Sequence, residues 1–236
     1  MPRPRIIASL APASAGELPD HGAHRVAPAD LVEVRLDAVA GGPEAAVAVC
    51  RAVADWGRPL LVTPRSAGEG GLREWVPEQR RAVLEAVWEA VSVALVDVEV
   101  RDSPRLLEWV LANCPAATEV IASYHDFEGF PGESQLNGLA LEAAATGAHH
   151  FKAAVRAAGL EESARLACWT SERSRTQSLL TMAMGPAGGL SRVMSGAFGS
   201  WAAYGHIDVA TAPGQLSVDE LAELRQRLYP EGSGAP

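Results

Sequence analysis

Pro59-Leu-Leu-Val-Thr63, Pro77-Glu-Gln-Arg-Arg-Ala-Val-Leu-Glu-Ala-Val-Trp-Glu-Ala-Val91 and Val93-Ala-Leu-Val-Asp-Val98 follow one another along the chain. The first and third are short, apolar and rich in branched residues, the composition of a strand buried on both faces. The second opens with proline in its first turn, where the missing N–H costs nothing, and then runs as an amphipathic helix. Strand, helix, strand is the unit of a parallel α/β sheet. The alternation continues in both directions. Strands are predicted at Arg5–Leu10, Leu31–Leu36, Pro59–Thr63, Val93–Val98, Glu119–Ser123, His149–Ala153, Leu179–Met184 and Ile207–Ala210. Helices are predicted at Pro43–Trp56, Pro77–Val91, Pro104–Asn113, Glu133–Thr146, Leu160–Thr170 and Val218–Leu228. Eight such strands in 236 residues predict an α/β fold, a single (β/α)8 TIM barrel over residues 1–230. Gly232-Ser-Gly-Ala-Pro236 reads as part of a flexible C-terminal tail, residues 231–236. A doubly wound sheet is the rival, but Ala11-Pro-Ala-Ser-Ala-Gly16 after the first strand has no G-x-G-x-x-G.

Bulk composition narrows the function. A net charge of −9 argues against nucleic acid or an anionic membrane as partner, because both attract basic surfaces. Cys50, Cys114 and Cys168 match no zinc or redox spacing and read as free thiols in a reducing compartment. Two arginines precede the N-terminal apolar run, as in a signal peptide. That run is short and cut by Pro12, and no other segment is long enough to span a bilayer, so a cytoplasmic protein is expected.

The basic residues are nineteen arginines and one lysine. Lys152 sits in the apolar stretch Ala148-His-His-Phe-Lys-Ala-Ala-Val155. Arginine stays protonated at any physiological pH and cannot act as a neutral amine, so a lysine kept on this background points to a need for one. Polar residues also gather where predicted strands end. Glu33 and Arg35 lie on the second strand, Arg65 and Glu69 after the third, and Asp97 and Glu99 at the fourth. Ser123 and His125 end the fifth, Lys152 lies on the sixth, and Gly214 and Gln215 follow the eighth. In a barrel these ends converge on one mouth. A lysine amine near a ketone forms an iminium, an electron sink for proton loss at the adjacent carbon. Burial and neighbouring arginines lower the amine's proton affinity, and a histidine is the base suited to neutral pH.

Several stretches in this order carry a resemblance. They are Glu33-Val-Arg-Leu-Asp37, Thr63-Pro-Arg-Ser-Ala-Gly-Glu-Gly-Gly71, Asp97-Val-Glu99, Ser123-Tyr-His-Asp-Phe127, Phe151-Lys152, Met184-Gly185 with Ser191-Arg192, Gly199-Ser200 and Ala212-Pro-Gly-Gln215. Together, with Lys152 27 residues after His125, they resemble the type I 3-dehydroquinate dehydratases of the shikimate pathway. The resemblance implies a lyase that dehydrates 3-dehydroquinate to 3-dehydroshikimate through a Schiff base on Lys152. It implies His125 as base and then acid, Glu69 as its carboxylate partner, and Arg192 as the binder of the substrate carboxylate. Glu33, Arg35 and Arg65 would line the hydroxyl side of the ring, while Thr211 and Gln215 belong to a loop that closes over it. Asp97 and Glu99 would be buried support for the pocket. It further implies a homodimer with a small-molecule substrate, no metal and no cofactor.

Two other readings fit the same residues. One is another Schiff-base barrel, such as a class I aldolase, which needs a phosphate site after strands seven and eight. The other is a metabolite sensor that keeps the pocket without chemistry; retention of both Lys152 and His125 argues against it. The segment Ala153–Arg156 and the histidine pair His149 and His150 depart from the family pattern. As neighbours on a strand the two histidines face opposite ways, which disfavours a joint metal site. Gly185-Pro-Ala-Gly-Gly189 lacks the lysine of a P-loop and reads as a turn.

Overall fold

The computed structural model describes residues 3–186, 188–207, 210 and 215–230. Thr211, Ala212–Gly214 and the tail at 231–236 lie outside the described residues. The strands are β1 (Arg5–Leu10), β2 (Leu31–Arg35), β3 (Leu60–Thr63), β4 (Leu95–Glu99), β5 (Glu119–Asp126), β6 (His150–Arg156), β7 (Leu179–Met184) and β8 (Ala202–His206). The helices are α1 (Gly22–Arg25), α2 (Gly42–Ala54), α3 (Pro77–Ala90), α4 (Pro104–Asn113), α5 (Glu133–Thr146), α6 (Leu160–Arg173), α7 (Gly188–Met194) and α8 (Val218–Leu228). All strand pairings are parallel, in the order β7-β6-β5-β4-β3-β2-β1-β8. The ring closes where Ser200 pairs with Leu179 and the Trp201 amide donates to the Leu179 carbonyl at 3.0 Å. The fold is a (β/α)8 barrel. No described helix is long and apolar enough to cross a membrane.

The eighth strand departs from its predicted place. It is Ala202–His206, not Ile207–Ala210: Arg5 through Ser9 of β1 pair with Ala202 through His206. Ile207 and Val209 have the branched side chains of a strand, whereas Ala-Ala-Tyr-Gly-His carries little β propensity. Closure of the barrel overrides that local preference. Gly205 is part of the reason, since a Cβ there would lie 3.0 Å from both a Leu221 methyl and the Val218 amide nitrogen of α8. Elsewhere β5 and β6 run three residues past their predicted ends, to Asp126 and Arg156. Of the turn read at Gly185–Gly189, Gly188 and Gly189 are instead the first residues of α7.

Two apolar cores lie on either side of the sheet. The outer one packs helices against strands; the inner one fills the barrel with Ile7, Leu31, Leu61, Leu95, Ile121, Leu180 and Ala202 among others. Two residues farther along the same strands, on the same face, stand Ser9, Glu33, Thr63, Asp97, Ser123, Met182 and Tyr204, all buried. His150 on β6 is followed in the same step by Lys152. A displacement of two residues thus turns an apolar floor into a largely polar layer at the C-terminal mouth.

Candidate active site

Lys152 projects from the middle of β6 into this layer and is 4% exposed. Its Nζ donates to Asp97 Oδ2 at 2.8 Å and to the Tyr204 hydroxyl at 3.2 Å, and lies 4.4 Å from the centre of the Tyr204 ring. Burial draws the amine below the usual lysine range, although Asp97 beside it pulls the other way. Asp97 itself is held down at about 2: burial alone would raise it, but Arg65 and Lys152 outweigh burial. Its other oxygen accepts from Arg65 at 2.9 Å and from Ser123 at 2.5 Å.

His125 is one strand away, on the part of β5 that extends past its predicted end. Glu69 Oε2 accepts from the His125 backbone amide at 2.8 Å and lies 3.0 Å from Nδ1. An oxygen that already accepts the amide serves Nδ1 as acceptor too, which puts the ring proton on Nδ1 and leaves the Nε2 lone pair uncommitted. Burial holds the imidazole well below its ordinary range, with Arg65, Lys152 and Arg35 adding to the effect. Burial also pushes Glu69 up to about 8 despite the pull of Arg65. Glu69 reaches this position from a tight turn, Ala67–Glu69, that ends on Gly70 at φ 84. Only glycine fits there, because a Cβ would lie 2.6 Å from the Phe127 ring.

Around this pair the carboxylates and cations brace one another. Arg65 donates to Glu99 and Ser123, both at 2.8 Å, besides Asp97. Glu99 in turn accepts from Arg80 of α3 at 2.5 Å. Arg65 lines the pocket, but these bonds make it a strut between strands as much as a wall. Glu33 accepts from Ser9 at 2.5 Å and Thr63 at 2.8 Å. Arg35 is held by both oxygens of Asp37, at 2.8 and 2.7 Å, and donates to the Gly70 carbonyl at 3.0 Å.

Arg192 differs from these. It is 2% exposed, yet its one hydrogen bond among the described residues is to the Met182 sulfur at 3.3 Å, and Nε and Nη2 are buried without a partner. Burial lowers its guanidinium to about 10. An unpaired cation inside a protein is expensive, and the space before it suits an anion that arrives with the ligand.

Glu33, Arg35, Arg65, Glu69, His125, Lys152, Arg192 and Gln215 therefore line one cavity of about 140 Å³. Of the residues expected at the site, Thr211 alone lies outside the described residues. Tyr204, Met182, Met184, Ser9 and Phe127 also line the cavity. Tyr204 escaped the sequence reading because its strand was placed five residues too late; a tyrosine two residues beyond an alanine of the floor was the available signal. His149, His150 and Arg156 do not reach the cavity. His149 accepts from the Val120 amide at 3.0 Å, and His150 joins Glu119 and Ser178 at the opposite end of the barrel.

A family model described as type I 3-dehydroquinase matches residues 10–230. The chain belongs to that family. This dehydroquinase is 33% identical over 207 residues to the 3-dehydroquinate dehydratase of Methanosarcina acetivorans, an overlap of 85% of this chain and 86% of that protein. It is 31% identical over 208 residues to the enzyme of the same name from Klebsiella pneumoniae subsp. pneumoniae, covering 85% and 83% of the two chains. Among solved structures, the 3-dehydroquinate dehydratase of Geobacillus kaustophilus superposes with a TM-score of 0.87 at 26% identity, over 96% of this chain and 92% of that one. The membership expected from the motifs and the barrel expected from the strand pattern are thus both found in this dehydroquinase.

Proposed function

We propose that this dehydroquinase converts 3-dehydroquinate to 3-dehydroshikimate through a Schiff base on Lys152, with His125 moving the protons. The observation that carries the proposal is a buried lysine amine, the chain's only one, facing the cavity one strand from a histidine that a buried carboxylate orients.

The chemistry follows from the groups present. Neutral Lys152 adds to the ring ketone, and loss of water leaves an iminium, whose positive nitrogen accepts electrons from the neighbouring C–H bond. His125 Nε2 takes that proton. The resulting enamine expels the hydroxyl one carbon farther on, which leaves as water with the proton His125 has just acquired. Hydrolysis of the product iminium then frees Lys152. A base kept neutral by burial serves this cycle, since it is ready to accept a proton when substrate binds. Glu69 fixes which ring nitrogen faces the substrate. The buried, unpaired guanidinium of Arg192 matches the substrate carboxylate, with a planar fork for two oxygens. Glu33 and Arg35 lie across the cavity, where ring hydroxyls need both acceptors and donors.

Borohydride trapping tests the proposal directly. The protein is incubated with 3-dehydroquinate, reduced and digested, and the added mass is located by peptide mass spectrometry. The expected result is a substrate-dependent adduct on Lys152, absent from Lys152→Arg. No adduct, together with no rise in ultraviolet absorbance from an enone product, would overturn it.

A further inference from the structure

The N-terminal end of the barrel holds a second set of polar side chains, which the dehydration does not use. Glu119 opens β5, His150 opens β6 and Ser178 immediately precedes β7. Each stands two residues before an inner-face residue, Ile121, Lys152 or Leu180, so all three belong to that face. His150 Nε2 lies 2.9 Å from Glu119 Oε2, and Nδ1 lies 2.7 Å from Ser178 Oγ. A carboxylate only accepts, so Nε2 carries the ring proton. Nδ1 of the neutral ring then accepts from the serine hydroxyl. Burial holds the imidazole below its ordinary range despite Glu119, which keeps it neutral near pH 7. The bond from His150 in turn lowers Glu119. The His150 side chain is 15% exposed, whereas Ser178 lies open at the surface.

Polar residues at this face of a barrel ordinarily serve stability. Hydroxyl, imidazole and carboxylate in line make a more specific arrangement: a nucleophile, its base and the group that orients the base. We propose that Ser178, His150 and Glu119 form a second catalytic site, which hydrolyses small aryl esters. The Ser178 proton passes to His150 Nδ1 as Oγ bonds to the ester carbon, and the carbonyl electron pair moves onto oxygen. Collapse of this intermediate breaks the bond to the aryl oxygen, which leaves as a phenol with the proton from Nδ1. Water then gives a proton to Nδ1 and adds to the acyl carbon. Ser178 departs with that proton and a carboxylic acid is released, so ester and water yield acid and phenol. The partly exposed Trp201 ring lies 4.9 Å from the His150 ring and offers a flat apolar surface to the aryl group. Arg5, whose backbone amide donates to the Trp201 carbonyl at 2.8 Å, brings a cation to the rim where the acyl oxygen gains charge.

Ser178, His150 and Glu119 do not line the dehydration cavity, so the two activities are separable. The probe is p-nitrophenyl acetate, followed as steady release of p-nitrophenolate. Acetylation of Lys152 or of the α-amino group ends after one turnover, so sustained release needs an intermediate that water clears. Ser178→Ala removes the nucleophile at an exposed position, and His150→Phe keeps an aromatic ring beside Trp201 without the base. The expected result is a steady rate lowered by about 10²-fold in both, with dehydration of 3-dehydroquinate at the wild-type rate. A fluorophosphonate, which arrests the cycle at the first bond formed, is expected to mark Ser178 and not Ser134, an exposed serine of α5. Where His150→Phe does not fold, Glu119→Gln replaces it, with release expected to slow by about 10-fold. Release at the wild-type rate in Ser178→Ala, or in folded His150→Phe, would overturn the second site and leave the Schiff base standing.

Discussion

Arg192 shows how a single residue can be a burden to the folded chain and an asset to its ligand. Its guanidinium is buried with two nitrogens unpartnered, so the free protein bears a desolvation cost that a bound carboxylate would remove. Arg192→Met keeps most of the side-chain volume without the charge. It is expected to make the free protein more stable by about 1 kcal/mol or more, seen as a higher Tm. It is also expected to lower kcat/KM by about 10²-fold, the equivalent of about 3 kcal/mol. A lower Tm with an unchanged KM would contradict this account of the site. Lys152 was legible from composition alone, because eighteen other arginines besides Arg192 fill every remaining basic position. The lack of a partner for Arg192 was not legible, since pairing depends on neighbours that only the closed barrel brings near. Tyr204 was hidden for a similar reason: nothing local distinguishes it until β8 is in register with β1.

At the scale of elements, helices announced themselves better than strands. Pro104–Asn113, Glu133–Thr146 and Val218–Leu228 fall where the sequence placed them. Each has a readable stop or start, such as proline in the first turn of α4 or the Ser217–Glu220 capping box of α8. Strand ends were less certain, because Tyr124-His125-Asp126 at the end of β5 look like loop residues. His125 is polar where it faces the cavity, not because the strand has ended. β8 failed outright, since its alanines and glycine serve close packing instead of β propensity. Gly205 makes this testable. Gly205→Val would drive its side chain into α8, whose Val218 amide and Leu221 methyl leave no room. The expected cost is about 1–3 kcal/mol, read as a lower urea midpoint with an unchanged slope. A midpoint at or above wild type would mean that α8 yields easily and that packing does not set the position of the strand.

For the whole molecule, the two-residue step from apolar floor to polar layer means that stability and chemistry share one sheet. The floor and the outer shell hold the strands in register, and the ion pairs above them tie β3, β4, β5, β6 and α3 together. Such a molecule is expected to open as a unit. Cys50 provides the probe: it lies on the buried face of α2, and burial pushes its thiol up to about 12, whereas Cys168 is exposed. A thiol reagent is expected to modify Cys168 at once and Cys50 only as fast as global opening permits. The Cys50 rate should rise with urea along the slope of the full unfolding transition. Prompt labelling of Cys50 in native buffer would show instead that α2 opens independently. The barrel was legible at this scale because strand and helix alternate along the whole chain, a pattern that one misplaced strand does not disturb.

A molecule with a single side-chain amine, buried where it lines a cavity, also has an unusual handling chemistry. Reagents that couple through lysine find no side-chain handle on its surface. Apart from the α-amino group, anything they attach to an amine must enter the barrel mouth and take the place that the proposed Schiff base gives to the ketone. On the proposed role of Lys152, conjugation at that amine and inhibition become one event. The extent of acylation at Lys152, with and without ligand, then counts the fraction of open sites in a preparation.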